Sequence, residues 1–231
     1  KYAPKMIIMH INPDNIRDEG VDFKTQAEAV RSHKSAFTVS KLLRDKDMWC
    51  MGLGFGLLWM VTVGIVSQFV PRMISVGNSQ PTALMMLTVA AVVGLFGSYF
   101  WGWLDQKVGT KPASVVYSAS YVIALLLLIF AKLPIFTYIA IVFVGLGIGG
   151  LLNLMPSMVI SVYGKYDFTA ANSLVSPIAS LLQKFAFLIM AVLLGVSGGD
   201  YALPYGVFIV IDVIGAALLL CVTGKCKGKQ D

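Results

Sequence analysis

Beyond Met48 the chain alternates between long apolar stretches and short polar breaks, and the stretches share one length class. They cover residues 48–70, 82–104, 113–131, 135–162, 171–196 and 201–222. Each is close to or above the roughly 20 residues that a helix needs to cross a bilayer. The breaks carry turn chemistry: Pro71 and Gly77-Asn78, Gly109 with Pro112, Pro134, Gly164, and Ser197-Gly198-Gly199. No Asp, Glu, Lys or Arg interrupts the first four stretches. The pattern predicts an all-α polytopic membrane protein in which residues 48–222 form a bundle of six transmembrane helices.

Two polar segments flank that bundle. Residues 1–47 begin irregularly, with a turn at Asn12-Pro13-Asp14, and then read as a helix over 25–47. There Ala27, Val30, Phe37, Val39, Leu42 and Leu43 interleave with Arg31, Lys34, Lys41, Arg44 and Lys46. Such a basic amphipathic helix fits the lipid surface on the cytoplasmic side, or alternatively a solvated linker. Residues 223–231 form a short basic tail. The chain opens on Lys1, which reads as a start part-way into a longer gene product.

Composition agrees with lipid as the solvent. Only 13% of the residues are charged, against roughly 25% in soluble domains. Sixteen of these charges precede Met48, which leaves too few to coat a water-facing surface. The net charge of +6 forms no basic stripe with stacking aromatics, so the reading is no nucleic acid partner. Basic residues instead sort by side. The N-terminal segment, Lys107, Lys111, Lys165, Lys225, Lys227 and Lys229 fall on one face of the membrane, Arg72 and Lys132 on the other. The richer face is predicted to be cytoplasmic, with both termini inside a multi-pass protein of the cell (plasma or inner) membrane. Cys50, Cys221 and Cys226 form no paired framework and read as reduced thiols, while His10 and His33 make a zinc cage implausible. With no Ser–His–Asp, metal or phosphate-loop constellation, the expectation is no enzyme, no metal and no cofactor.

Three features inside the spans bear on function. Gly145-Leu146-Gly147-Ile148-Gly149-Gly150 matches G-x-G-x-x-G formally, but a dinucleotide fingerprint needs a strand–helix unit in water, not an apolar span. Gly145, Gly149, Asn153, Ser157 and Ser161 follow at steps of four and make a small, polar ridge beside Pro156. That ridge is either a packing seam or a seam that also lines a cavity. Lys184 sits midway along 171–196, where a lone cation costs at least ~2.5–3.5 kcal/mol. Ser173, Ser176, Ser180, Gln183 and Lys184 recur at helical steps, with Pro177 among them, so one face of an otherwise apolar helix is polar. Asp212 lies at similar depth in the last span. Either Lys184 and Asp212 form a structural pair, or Lys184 meets an anionic substrate while Asp212 acts apart, for example in proton coupling.

The loop after the second span reads Gly102-Trp103-Leu104-Asp105-Gln106-Lys107-Val108-Gly109-Thr110-Lys111. It resembles the loop signature of the major facilitator superfamily, G-x-x-x-D-[RK]-x-G-x-[RK]. Gly102, Lys107, Gly109 and Lys111 fit in register, whereas Asp105 stands one place early and Gln106 takes the slot of the carboxylate. The resemblance implies a major-facilitator half-bundle: residues 1–47 as the central cytoplasmic loop and 48–222 as spans seven to twelve. The partner would be an N-terminal six-helix half. Lys184 then falls in the eleventh span, similar to the mid-membrane lysine of the oxalate/formate antiporter and related monocarboxylate carriers. The arginine that the oxalate carrier holds in its eighth span has no counterpart in 82–104.

What this resemblance implies is secondary active transport of a small organic anion by alternating access, with a coupling ion such as the proton. Lys184 would meet the carboxylate, Gln183, Ser180 and Asn153 would supply hydrogen bonds, and Trp59 an apolar wall. Two alternatives belong to other classes: a transporter-like sensor or scaffold without transport, and a six-span half that works as a homodimer. The topology has its own test. Single cysteines at 111, 165 and 227 should react with impermeant maleimide from the cytoplasm, and those at 78 and 199 from outside; labelling of position 165 from outside alone would overturn the six-span map.

Overall fold

In a computed structural model, residues 35, 37–131, 134–224 and 226–227 are described. They form seven helices: α1 (Val39–Leu43), α2 (Lys46–Ser75), α3 (Gln80–Val108), α4 (Thr110–Ile129), α5 (Pro134–Ile148), α6 (Leu151–Val196) and α7 (Ala202–Leu220), with no strand among the described residues. By length and composition, 5 of the continuous helical stretches could cross a membrane, one of them spanning Ile135–Val196. That long stretch holds two crossings. At Gly164 the backbone turns to φ 78° and ψ 167°, a conformation that a residue with a Cβ rarely adopts. Helix α5 and the first arm of α6 together run parallel to α3: Gly145, Asn153 and Ser157 meet Ala90, Ser98 and Asp105 in ascending order. The second arm runs parallel to α2, since Ile178 meets Gly52 and Leu182 meets Gly56. Helices α2 and α3 are themselves antiparallel, so the chain reverses at Gly164, and the long stretch is two arms, each long enough to cross a membrane.

Gly109 makes the same single-residue reversal between α3 and α4, at φ 88° and ψ 159°. Such turns are tighter than the sequence suggests. The break at Gly164 is one residue long, and Lys165–Ala170, read as loop, already belongs to the second arm of α6. Pro71, read as part of a break, lies inside α2, which continues to Ser75. The amphipathic helix over 25–47 falls largely outside the described residues. Its described part is helical only over Val39–Leu43, because Asp45 leaves the helix to cap α2 by accepting from the backbone N–H of Asp47 at 3.1 Å. Leu42 is buried there, and Phe37 packs edge-on against Tyr163 with ring centroids 5.2 Å apart, so this segment tucks onto the bundle end.

Helix α2 is the core. Lipid tails are as apolar as leucine, so helices associate here by close packing and not by exclusion from water. Gly52 and Gly56 receive Ile178 and Leu182 of α6, while Gly54 and Gly64 receive Leu219 and Phe208 of α7. Outward faces carry large apolar side chains instead: Leu95, Phe96 and Tyr99 of α3 are each more than 70% exposed. In water that surface would aggregate; in hydrocarbon it is the proper solvent face.

The most constrained contact joins α3 to α5 and the first arm of α6. A Cβ at Gly149 would lie 2.5 Å from the carbonyl oxygen of Gly94, and one at Gly145 2.6 Å from that of Ala90. The backbones touch. Between α5 and α6 the helix breaks at Gly149-Gly150, midway between Pro134 and Gly164. A break at membrane depth frees carbonyls that lipid cannot satisfy. Trp101 donates to the carbonyl of Leu146 at 2.8 Å, and the Tyr117 hydroxyl donates to that of Gly147 at 3.1 Å. Tyr117 stacks on Tyr121, and Tyr121 packs directly against Gly147, where a Cβ would come within 1.6 Å of its ring. The G-x-G-x-x-G string is therefore the floor beneath an aromatic plug. Gly147→Val should lower stability in detergent by at least the ~1–3 kcal/mol of an overpacked core, with partial recovery when combined with Tyr121→Ala. An unchanged thermal midpoint for Gly147→Val would contradict this packing.

Candidate functional site

The second arm of α6 buries Ala171, Val175, Ala179, Ala186 and Met190, and carries Ser173, Ser180 and Lys184 exposed on its other side. Spacings of seven and four residues set these three within one narrow arc of the helix. Ser176 and Gln183 border it, half-buried; the Ser176 hydroxyl donates to the Asn172 side chain at 2.9 Å. Pro177 lies in the same arc and is exposed. Among the described residues Lys184 has no ion pair. Trp59 is half-buried against the core on α2.

Asn153 is not part of that arc. Its amide donates to the carbonyl of Ser98 at 2.7 Å and to the Ser98 hydroxyl at 2.9 Å, across the seam with α3. Ser157 donates to Asp105 at 2.5 Å, also across the seam. Gly145, Gly149, Asn153 and Ser157 of the ridge thus pack against α3, whereas Ser161 is exposed and donates to the Met158 carbonyl of its own helix. Lys184 and Asp212 are not paired either. Asp212 is fully buried and accepts a hydrogen bond from Ser118 of α4, and its other carboxyl oxygen has no partner. Next to Ser118, the Tyr117 hydroxyl lies 3.0 Å from that of Thr62 on α2, and the Tyr121 hydroxyl is buried beside the pair. The sequence reading passed over Ser118, Tyr117, Tyr121 and Thr62. Their only signal was a run of polar atoms in otherwise apolar spans.

The end of the bundle that holds both glycine reversals is densely cross-linked. Asp105, one place early in its motif, points inward and is buried, while Gln106 is exposed. The Thr110 hydroxyl lies 3.3 Å from that of Ser157. Lys107 sits over the Trp103 ring, and Lys111 donates to the carbonyl of Val222, just beyond the end of α7. The tail then returns across α2: Lys227 pairs with Asp45 at 2.6 Å and Asp47 at 2.5 Å, and its backbone N–H donates to Val162 at 2.6 Å. Tyr163 donates to Asp45 at 2.9 Å and the Thr223 N–H to Asp47 at 2.8 Å. At the opposite end Arg72 is buried, donates to the carbonyls of Leu128 and Ile129, and lies over Tyr201. The charges therefore sort to two ends as expected, although Arg72 serves as a helix cap for α4 and not as a loop charge. Among the described residues no group of His, Cys, Asp or Glu is arranged to hold a metal.

No protein-family model and no curated protein matches this chain.

The tail clamp gives a directional expectation. Burial alone would lower the Lys227 pKa, but the hydrogen bonds to Asp45 and Asp47 outweigh it and raise it above its ordinary value of 10.5. Its contribution is then complete at neutral pH and disappears only as pH rises through that raised value. A spin label on the tail should stay immobile up to pH 10 or so, about the ordinary lysine value, and mobilise above it. In Lys227→Ala it should be mobile throughout, and an immobile label there would show that the tail docks without its ion pairs.

Proposed function

We propose that this chain is one half of a major-facilitator-type secondary transporter that moves a small organic anion, a carboxylate, by alternating access. The observation that carries this reading is Lys184, a cation without an ion-pair partner among the described residues, exposed midway along a membrane-length apolar helix. Hydrocarbon would not tolerate it there. The arc that holds Lys184, Ser180 and Ser173 must face a second bundle, water or a bound anion, and a cavity between two six-helix halves supplies all three in turn. A carboxylate in that cavity would take its charge partner from Lys184 and hydrogen bonds from Ser180 and Gln183. Trp59 would wall the site from α2. Asn153 would hold the seam behind it.

The remaining architecture supports motion of this half as one body. Loop motif, tail and first turn of α2 are tied together at one end, and Arg72 ties α2, α4 and α7 at the other. With the basic end cytoplasmic, the loop motif would lie where the two halves approach each other on the inner side.

Ligand-dependent stability tests the reading in the full-length transporter. A carboxylate at 100 times its Kd should stabilise the wild type by about 2.7 kcal/mol, since it binds only the folded state. Lys184→Gln should keep its ligand-free thermal midpoint, because that side chain is exposed and makes no ion pair among the described residues, and should lose the stabilisation by lactate, formate or oxalate. Equal stabilisation of both proteins would remove Lys184 from the site.

A further inference from the structure

Three cysteines gather at the end of the bundle that holds the tail clamp, and none of them is in a disulfide. Cys50 lies in the second turn of α2, Cys221 caps the C-terminus of α7, and Cys226 precedes the clamp residue Lys227. Contacts between α2 and α7 fix how the first two stand. Toward the bundle end the Thr223 N–H donates to Asp47 at 2.8 Å. Deeper in, a Cβ at Gly54 would lie 2.7 Å from Leu219 and 3.1 Å from the Gly215 carbonyl. The two helices are thus antiparallel, and Cys50 and Cys221 occupy the interval between these contacts from either side. Cys50 also shares one stripe of α2 with Gly54, Leu57 and Gly64, which meet Leu219, Gly215 and Phe208 of α7. It is therefore turned toward α7 and only 8% exposed, whereas Cys221 is exposed. The two thiols are close enough for charge on Cys221 to act on Cys50.

We propose that Cys50 and Cys221 are a reversible oxidation site, at which hydrogen peroxide joins the start of α2 to the end of α7 through a disulfide. The inference goes beyond the transport reading and does not depend on it, since the site lies at the bundle end and not on the arc of Lys184. Peroxide meets Cys221 first, because a reactive thiol must be accessible and Cys50 is enclosed. The Cys221 sulfur attacks one peroxide oxygen, the O–O bond breaks, water leaves, and a sulfenic acid remains. The Cys50 sulfur then attacks the sulfenic sulfur. An S–S bond forms, the S–O bond breaks, and the hydroxyl departs with the Cys50 proton as a second water. Two thiols give up two electrons in all and one peroxide accepts them; a dithiol reverses the bond by exchange. A disulfide needs Cα atoms roughly 4.4–6.8 Å apart, and two features bring that within reach. The α2 and α7 backbones are held together one turn away at Gly54, and Cys221 stands where α7 ends and the chain turns. Cys226 is held elsewhere, because its neighbour Lys227 is pinned to Asp45 and, through its N–H, to the Val162 carbonyl. Once the bond has formed, the junction now held by the Thr223–Asp47 hydrogen bond is covalent, and α2 and α7 can no longer part at this end.

Peptide mass mapping of the full-length protein in detergent tests this. The protein is treated with hydrogen peroxide, denatured, alkylated with N-ethylmaleimide and digested. In the wild type the peptides carrying Cys50 and Cys221 should be recovered as one species joined at those two residues. Alkylatable Cys50 should be lost, and dithiothreitol should restore it. In Cys221→Ser, Cys50 should be alkylated to the same extent with and without peroxide. That variant changes only an exposed side chain, so the comparison holds even if a change at the buried Cys50 prevents folding. Cys226→Ser should form the bond as the wild type does. Three results overturn the proposal: a bond between Cys221 and Cys226, a Cys50 that stays alkylatable in the peroxide-treated wild type, or equal loss of Cys50 in Cys221→Ser.

Discussion

Contact between the backbones of α3 and the α5–α6 span is the constraint on which the rest of the bundle depends. In lipid no hydrophobic force pulls helices together, so affinity comes from atoms in close contact and from polar groups that would otherwise be stranded. Glycine at 94, 145 and 149 lets two main chains meet, and Asn153 and Ser157 then spend their polarity on Ser98 and Asp105. Because α3 is fixed in this way, Trp101 stands over the carbonyl that the helix break exposes. Helix α4 follows through a one-residue turn at Gly109, which sets Tyr117 and Tyr121 over the same break. A discontinuous span needs such a neighbour, since membrane depth offers no water to an unpaired backbone group.

Polar side chains inside the spans divide by how they are satisfied. Trp101, Tyr117, Thr62 and Asn153 each have a partner, and together they hold α2, α3, α4 and the broken span in one register. Lys184 and Asp212 are different. One is exposed on an apolar helix and the other is enclosed with an unsatisfied oxygen. Neither arrangement stabilises a static membrane bundle, and each makes sense in a protein whose cavities fill and empty. The two residues also stand apart, since α7 keeps Asp212 inside while the second arm of α6 turns Lys184 outward.

Much of this was legible in the chain itself. Hydrophobic runs of bilayer length leave few alternatives to spanning helices, because the backbone must satisfy its own hydrogen bonds where solvent cannot. The sorting of basic residues to two ends was legible for the same reason: charge stays where water is. The polar arc around Lys184 was visible as spacing on one helix. Boundaries were less so. At Gly164 and Gly109 the sequence shows a glycine among polar residues, which reads equally well as a loop or as a single-residue reversal.

Partnership was beyond the reach of spacing. Lys184 and Asp212 lie at like depth and have opposite charge, so one dimension suggests a pair; the azimuths of two different helices decide against it. Spacing alone did not show that the Asn153 amide meets Ser98. Asp105 and Gln106 stand about 100° apart around a helix, and it is the carboxylate that faces inward against Ser157 while Gln106 is exposed. The sequence determines which helices form, how long they are and where charge can sit, because these follow from local hydrogen bonding and from the solvent. Which polar group meets which is decided by the rotation and approach of each helix, and those are settled only when glycine backbones and aromatic rings have packed.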